Sequence, residues 1–172
     1  MTGAITYRPL AEADLPLMAE WLNRQHLRRF YQHEPITLAE VAAKYGPRIR
    51  GEEYVHSWLA LMDAAPFGYL QCYRNVDEPE WQEIIRADHG VSIDLFIGEP
   101  DLIGRGVGRR MLGGYVDQVA FALYPDEQLC WICHETENLA ALACSKAAGF
   151  VPVRQLLDDD KPSLLLVRQR RR

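Results

Sequence analysis

The stretch from Val91 to Leu112, VSIDLFIGEPDLIGRGVGRRML, constrains the chain most. It runs from an apolar β-rich segment through a turn of small residues into the opening of a helix. Gly104, Gly106 and Gly108 alternate through the turn. Glycine admits positive φ and lets backbone N–H groups approach a ligand closely. A helix that starts at once afterwards adds the positive end of its dipole. The combination predicts a cradle for a phosphate or pyrophosphate, with Asp94 on the strand in front of it. The dinucleotide-fold spacing fails, because it needs a small residue at Arg109 counted from Gly104, or at Met111 counted from Gly106. The lysine of a nucleotide-binding P-loop is absent as well.

The chain has 172 residues, 48% hydrophobic and 25% charged, the profile of one globular domain over 1–172. No apolar run reaches the length of a membrane span, and MTGAITYRPL carries no basic-then-apolar leader. A cytoplasmic protein with no membrane partner is expected. The net charge is −5, and the tail Arg168-Gln-Arg-Arg-Arg172 offsets a still more acidic body. That balance disfavours nucleic acid and favours a cationic small-molecule partner. The tail itself is expected to be a solvated, frayed terminus. Cys72, Cys130, Cys133 and Cys144 are expected to be free structural thiols. Cys130-Trp-Ile-Cys133 matches C-x-x-C, but on a strand its cysteines point to opposite faces, so they would not share a metal or a disulfide. His26, His33, His56 and His89 have no ligand spacing with one another, and no metal is expected.

Patterning predicts a first strand over Ile5–Arg8 and an amphipathic helix over Ala11–Leu22, with Asp14 as a cap. A mostly polar connection leads to a second helix over Thr37–Tyr45. Thr37 and Glu40 stand in capping-box spacing, and Gly46-Pro47 is expected to end or kink the helix. Val55–Met62 and Phe67–Tyr73 form a hairpin pattern. Residues 74–90 are expected to be a long loop with a helical turn around Trp81–Arg86. Val91–Ile97 is a strand, Arg109–Leu123 a helix, Gln128–Cys133 a strand and Glu137–Ala148 a helix closed by Gly149. Phe150–Leu156 and Ser163–Arg168 make a terminal strand pair. The sum is an α/β protein with a mixed sheet.

Two stretches carry a family resemblance: Gly104-Arg-Gly-Val-Gly108 and Asn138-Leu-Ala-Ala-Leu-Ala-Cys-Ser-Lys-Ala-Ala-Gly-Phe150. With the order of elements, they resemble the GNAT superfamily of acyl-CoA-dependent N-acetyltransferases, over nearly the whole chain. The resemblance implies the GNAT acyltransferase fold, a mixed, mostly antiparallel sheet flanked by helices. More narrowly, Glu20-Trp-Leu-Asn-Arg-Gln-His26, Thr37-Leu-Ala-Glu-Val41 with Tyr45, Gly68-Tyr69, Gln71, Tyr73 and Ile93-Asp94 are similar to aminoglycoside 6′-N-acetyltransferases. Siderophore hydroxylysine acetyltransferases share that skeleton. Ile103 stands where the family's glycine motif usually opens with Gln or Arg. Cys133-His134 stands where an acidic residue and proline are common.

The resemblance implies acetyl-CoA as cofactor, held by the Phe96 and Ile97 backbone, by Ile103, Gly104, Arg105, Gly106, Val107, Gly108 and Arg109, and by Asn138. It implies acetyl transfer to a primary amine in a ternary complex, with the 6′-amine of an aminoglycoside as the favoured acceptor. Asp94 is the candidate for binding the ammonium and accepting its proton, since such an amine is protonated at neutral pH. Ser145 occupies the position where many members carry a tyrosine acid, and is expected near the cofactor sulfur. His134 is a lesser candidate base. Tyr31, with Phe30, matches a pair of tryptophans in the similar enzymes, where a flat ring could stack on a sugar or cyclitol of the acceptor. Asp77, Glu80 and Trp81 are candidates for gripping a polycationic one, alongside Glu78 and Glu83. A small-amine acetyltransferase and a catalytically silent acyl-CoA-binding module remain the alternatives, as a monomer or a homodimer.

Overall fold

Two tight turns show how locally this chain decides its path. Asp63-Ala64 and Asp159-Asp160 each place two consecutive residues at positive φ, which matches the right-handed twist of the strands they join. The computed structural model describes residues 3–171. Met1 and Thr2 at the N-terminus, and Arg172 of the basic tail, lie outside the described residues.

The elements are β1 (Ile5–Pro9), α1 (Leu15–Leu22), α2 (Gln25–Arg28), α3 (Leu38–Ile49), β2 (His56–Met62) and β3 (Ala65–Arg74). They continue with α4 (Pro79–Ile85), β4 (Val91–Ile97), α5 (Val107–Tyr115), α6 (Phe121–Leu123) and β5 (Leu129–Glu135). The chain ends with α7 (Leu139–Ala147), β6 (Val151–Asp158) and β7 (Lys161–Gln169). The seven strands form one sheet in the order β1-β2-β3-β4-β5-β7-β6. β4 and β5 are parallel, whereas β1–β2, β5–β7 and β6–β7 are antiparallel. The mixed, mostly antiparallel sheet flanked by helices is therefore found. The chain divides into two compact units: residues up to Gln71 with Leu95–Ile103, and Cys72–Asp94 with the chain from Gly104 onward.

In the first unit, α1 buries Leu15, Met18, Trp21 and Leu22 along one stripe, as their spacing predicts. These side chains form a core with Val41, Tyr45, Leu59, Tyr69 and Phe96. One expectation fails here, and one half of another. Asp14 makes no side-chain cap to α1; its carboxylate accepts from the Ala11 N–H and pairs with both outer nitrogens of Arg8, at 2.7 and 2.8 Å. The capping box of Thr37 and Glu40 opens α3 as expected, but Gly46-Pro47 does not close it. Pro47 removes one intrahelical bond. Val41 and Tyr45, both fully buried, have by then tied the helix to the core, and it runs on to Ile49.

The second unit packs Ile85, Ala87 and Leu165 against Trp81, Trp131, Cys133 and Leu156. In residues 74–90 the helical turn expected around Trp81–Arg86 is found as α4, but the rest is more ordered than a long loop: a 3₁₀ turn over Asn75–Asp77 leads into that helix, which Arg86 ends in the left-handed conformation. The helix after the glycine turn starts at Val107, two residues earlier than the pattern predicts, and passes through a π-helical stretch, Val116–Ala120. From that stretch Asp117 takes a two-pronged bond from Arg168, at 2.7 and 2.8 Å. Arg168 is buried, and Arg170 bonds the Pro125 carbonyl and lies over the Phe121 ring. The basic tail is thus docked through Arg168 and Arg170 rather than frayed, because its side chains find carbonyl, carboxylate and aromatic partners. Gly149 closes α7 at φ +93, with Phe150 N–H bonding Ser145 O and Gly149 N–H bonding Lys146 O. Among the described residues, no helix is long and apolar enough to cross a membrane.

Candidate active site

β5 keeps very different company on its two sides. Its ladder with β7 runs through seven pairs, from Leu129–Gln169 to Glu135–Ser163. Its parallel ladder with β4 holds only Val91–Cys130 and Ser92–Trp131. Asp94 lies just beyond the last of those pairs and is half-buried. Its charge is felt at Cys133: burial pushes that thiol up to about 12, and the carboxylates of Asp158 and Asp94 push the same way. Cys133 is accordingly a protonated, unreactive thiol at neutral pH. Cys130, three residues away, is fully buried, and all four cysteines are free.

The glycine turn has the form that the sequence predicts. Gly104 and Gly106 sit at φ +75 and +72, and Gly106 is the residue from which α5 starts. No side chain caps that start, so the first N–H groups of α5 have no donor-satisfying oxygen from the cap residue. Gly104, Arg105, Gly106 and Arg109 are exposed, as is Ile103, whereas Val107 and Gly108 are buried. A Cβ built on Gly104 would meet nothing within 4 Å, and one on Gly106 would meet only the Arg109 side chain, at 3.8 Å. Open space, positive φ and an uncapped helix start together fit a bound phosphate or pyrophosphate.

Within the first unit, the Phe96 ring is a core group: it stacks on Tyr69 at 5.3 Å and meets Tyr31 edge-on at 4.8 Å. Only the Phe96 backbone is left to serve a ligand. Tyr31 is half-buried, with its ring against that core. The Ile97 carbonyl accepts from His26 Nε2 at 2.9 Å.

Ser145 and His134, predicted separately, are brought together: Ser145 Oγ and His134 Nε2 lie 2.8 Å apart. Ser145 is only 1% exposed. Burial lowers the His134 pKa to about 4, so the ring is neutral at pH 7. A neutral imidazole and a buried hydroxyl make a weak acid pair. Asn138 is the cap of α7, its side-chain oxygen accepting from Ala141 N–H at 3.2 Å.

Of the acidic and aromatic residues around α4, Glu80 is exposed in its first turn and Asp77 is half-buried in the preceding 3₁₀ turn. Trp81 is committed: its Nε1–H donates to Ser92 Oγ at 2.8 Å, Ser92 Oγ–H to Asn75 Oδ1 at 2.7 Å, and Asn75 Nδ2 to the Ala87 and His89 carbonyls. This buried relay ties α4 to β4. The sequence reading missed Asn75 and Ser92, whose only local signal is a polar residue beside apolar ones, and the roles of His26 and His134 toward their partners.

A model of the acetyltransferase (GNAT) domain family matches residues 11–157. Aminoglycoside N(6′)-acetyltransferases type 1 from Klebsiella pneumoniae and Serratia marcescens are each 29% identical over 174 residues, spanning 97% of this chain and 84% of theirs. Among solved structures, AAC(6′)-Ib in complex with paromomycin and acetyl-CoA superposes with a TM-score of 0.86 at 27% identity, covering 97% of this chain and 94% of that one. The aminoglycoside N(6′)-acetyltransferase of Legionella pneumophila shares the fold, with a TM-score of 0.74 at 18% identity over 98% and 94% of the two chains.

Proposed function

The chain belongs to the GNAT acetyltransferase family, and from that premise we propose that it moves acetyl from acetyl-CoA to a primary amine, the 6′-amine of an aminoglycoside, in one direct step. The observation that carries the reading is Asp94 standing just past the point where β4 and β5 cease to pair. Acetyl-CoA supplies a thioester carbon that an uncharged amine attacks. Asp94 binds the substrate ammonium and takes its proton, directly or through water, which frees the nitrogen lone pair. The N–H of Ile97 holds the charge that develops on the thioester oxygen, beside the Phe96 backbone. The Gly104–Gly108 turn and the start of α5, with Ile103, Arg105 and Arg109 around them, hold the pyrophosphate, and Asn138 flanks the pantetheine. As the new C–N bond forms, the C–S pair leaves with sulfur. The burial of Ser145 and its bond to His134 favour departure as thiolate, which a thiol pKa near 8.5 permits. Asp77 and Glu80 offer charge for a polycationic acceptor, and the Tyr31 and Trp81 rings offer flat faces for it.

The test is acetyl-CoA-dependent thiol release across kanamycin-like aminoglycosides, polyamines and hydroxylysine, with Asp94→Asn beside the wild type. Turnover on aminoglycosides with a free 6′-amine is expected, reduced by roughly 10²- to 10⁴-fold in Asp94→Asn, while CoA affinity stays unchanged. Turnover confined to hydroxylysine or polyamines would keep the enzyme class and discard the acceptor. CoA binding without turnover on any amine would point to a silent acyl-CoA-binding module.

A further inference from the structure

α1, α2 and the short link between them send their inward polar side chains to three consecutive residues. Trp21, fully buried, donates its Nε1–H to Glu99 Oε1 at 2.9 Å. Arg24 Nη1 donates to the Gly98 carbonyl at 2.7 Å and to Glu99 Oε2 at 2.8 Å. His26 Nε2 lies 2.9 Å from the Ile97 carbonyl oxygen. A carbonyl only accepts, so Nε2 carries the hydrogen and the tautomer of His26 is fixed. The next N–H along the chain, that of Gly98, donates to Phe67 O at 2.8 Å.

These bonds define sides. In an extended strand the N–H and C=O of one residue point the same way, and those of the next residue point the opposite way. Gly98 N–H faces Phe67, so Ile97 presents both its polar groups on the other side, where His26 stands. The peptide that follows Ile97 is gripped at its oxygen by His26 and at its nitrogen by Phe67, which leaves Ile97 little freedom in ψ.

We propose that His26 is a positioning residue for acyl transfer, holding the Ile97 carbonyl so that the N–H of the same residue is aimed at the thioester oxygen. This rests on the acetyltransferase reading above. A donor to a developing oxyanion works only within a few tenths of an ångström of its proper place. An imidazole suits the task, because its donor sits at the tip of a rigid ring and persists whether the ring is neutral or charged.

The test compares His26→Leu, which cannot donate, with His26→Gln, whose amide can, using acetyl-CoA and the best amine acceptor of the wild type. His26→Leu is expected to lower kcat roughly 10- to 100-fold, with the Kd for CoA, which has no acyl oxygen to aim at, within twofold of wild type. His26→Gln is expected to recover most of the loss. An unchanged kcat in His26→Leu, or equal loss of kcat, CoA affinity and Tm in both variants, would overturn the proposal. Activity lost in Asp94→Asn but intact in His26→Leu would overturn this inference and leave the parent reading standing. A wild type with no transfer to any amine would overturn both.

Discussion

Gly98 and Gly104 lie a few residues apart and are glycine for opposite reasons. At Gly98 an added Cβ would fall 2.2 Å from the Trp21 ring. Its φ is not in the left-handed region; the side chain is missing because an indole fills the space. At Gly104 an added Cβ would meet nothing within 4 Å, and the residue is glycine because φ is +75. The first glycine closes a packed surface, and the second shapes an open one. Only an open surface with outward backbone donors can receive a ligand, so the turn at 104–106 is the candidate phosphate site and the segment at 97–99 is a packed part of the first unit.

The largest expected effect of a single methyl group lies at the packed position. Gly98→Ala drives carbon into a ring that the Trp21–Glu99 bond holds in place. Overpacking of this kind costs about 3 kcal/mol, which lowers the Tm of a domain this size by roughly 6–12 °C. Thermal unfolding followed by circular dichroism measures it, and an unchanged Tm would erase the distinction between the two glycines. Gly106→Ala comes next. It forces an L-residue into the left-handed region at a cost of about 1–2 kcal/mol, and its methyl group points where the phosphates are expected. The KM for acetyl-CoA should rise about tenfold, for a loss near 1.4 kcal/mol of binding, with kcat nearly unchanged. A fall in kcat with KM constant would instead make the turn part of the chemical step.

Sequence alone exposed whatever depends on neighbours along the chain. The Val91–Ile97 strand, the Thr37–Glu40 capping box, the buried stripe of α1 and the Gly149 stop all follow from short-range periodicity or cap chemistry. It missed what is settled at a distance. Residues 74–90 look loop-like because their ordering comes from Trp81, Ser92 and Asn75, a relay that joins separate elements. Pro47 reads as a breaker until Tyr45 is seen buried beside it. Asp14 has cap spacing but spends its carboxylate on Arg8, a partner in the preceding strand. At the candidate site, the glycine turn and Asp94 were visible as motif and position. The Ser145–His134 contact and the grip of His26 on Ile97 were not, since each joins residues that periodicity treats independently.

The smallest predicted effect separates the two regions by pH. The Arg24 guanidinium, followed by the Trp21 indole, holds the Glu99 carboxyl below its ordinary value. A depressed carboxyl stabilises the folded state fully above its unfolded pKa, near 4.5, and that stabilisation drains away as pH falls through the lower folded value. Glu99 is about a third exposed, so screening by water keeps the contribution to about 0.5 kcal/mol or less, a Tm change of roughly 1–2 °C. Glu99→Gln keeps an acceptor for Trp21 and removes the charge that Arg24 answers. The Tm gap between wild type and Glu99→Gln should therefore be widest near pH 6 and shrink toward pH 3.5, and added salt should narrow it at pH 6. Gly106→Ala supplies the contrast, because its cost is steric strain at a backbone angle and no proton enters it. Its Tm gap from wild type should stay constant over the same range. A gap at Gly106 that tracked the gap at Glu99 would mean that the packed segment and the turn do not differ in their response to pH, and the division between them would fail.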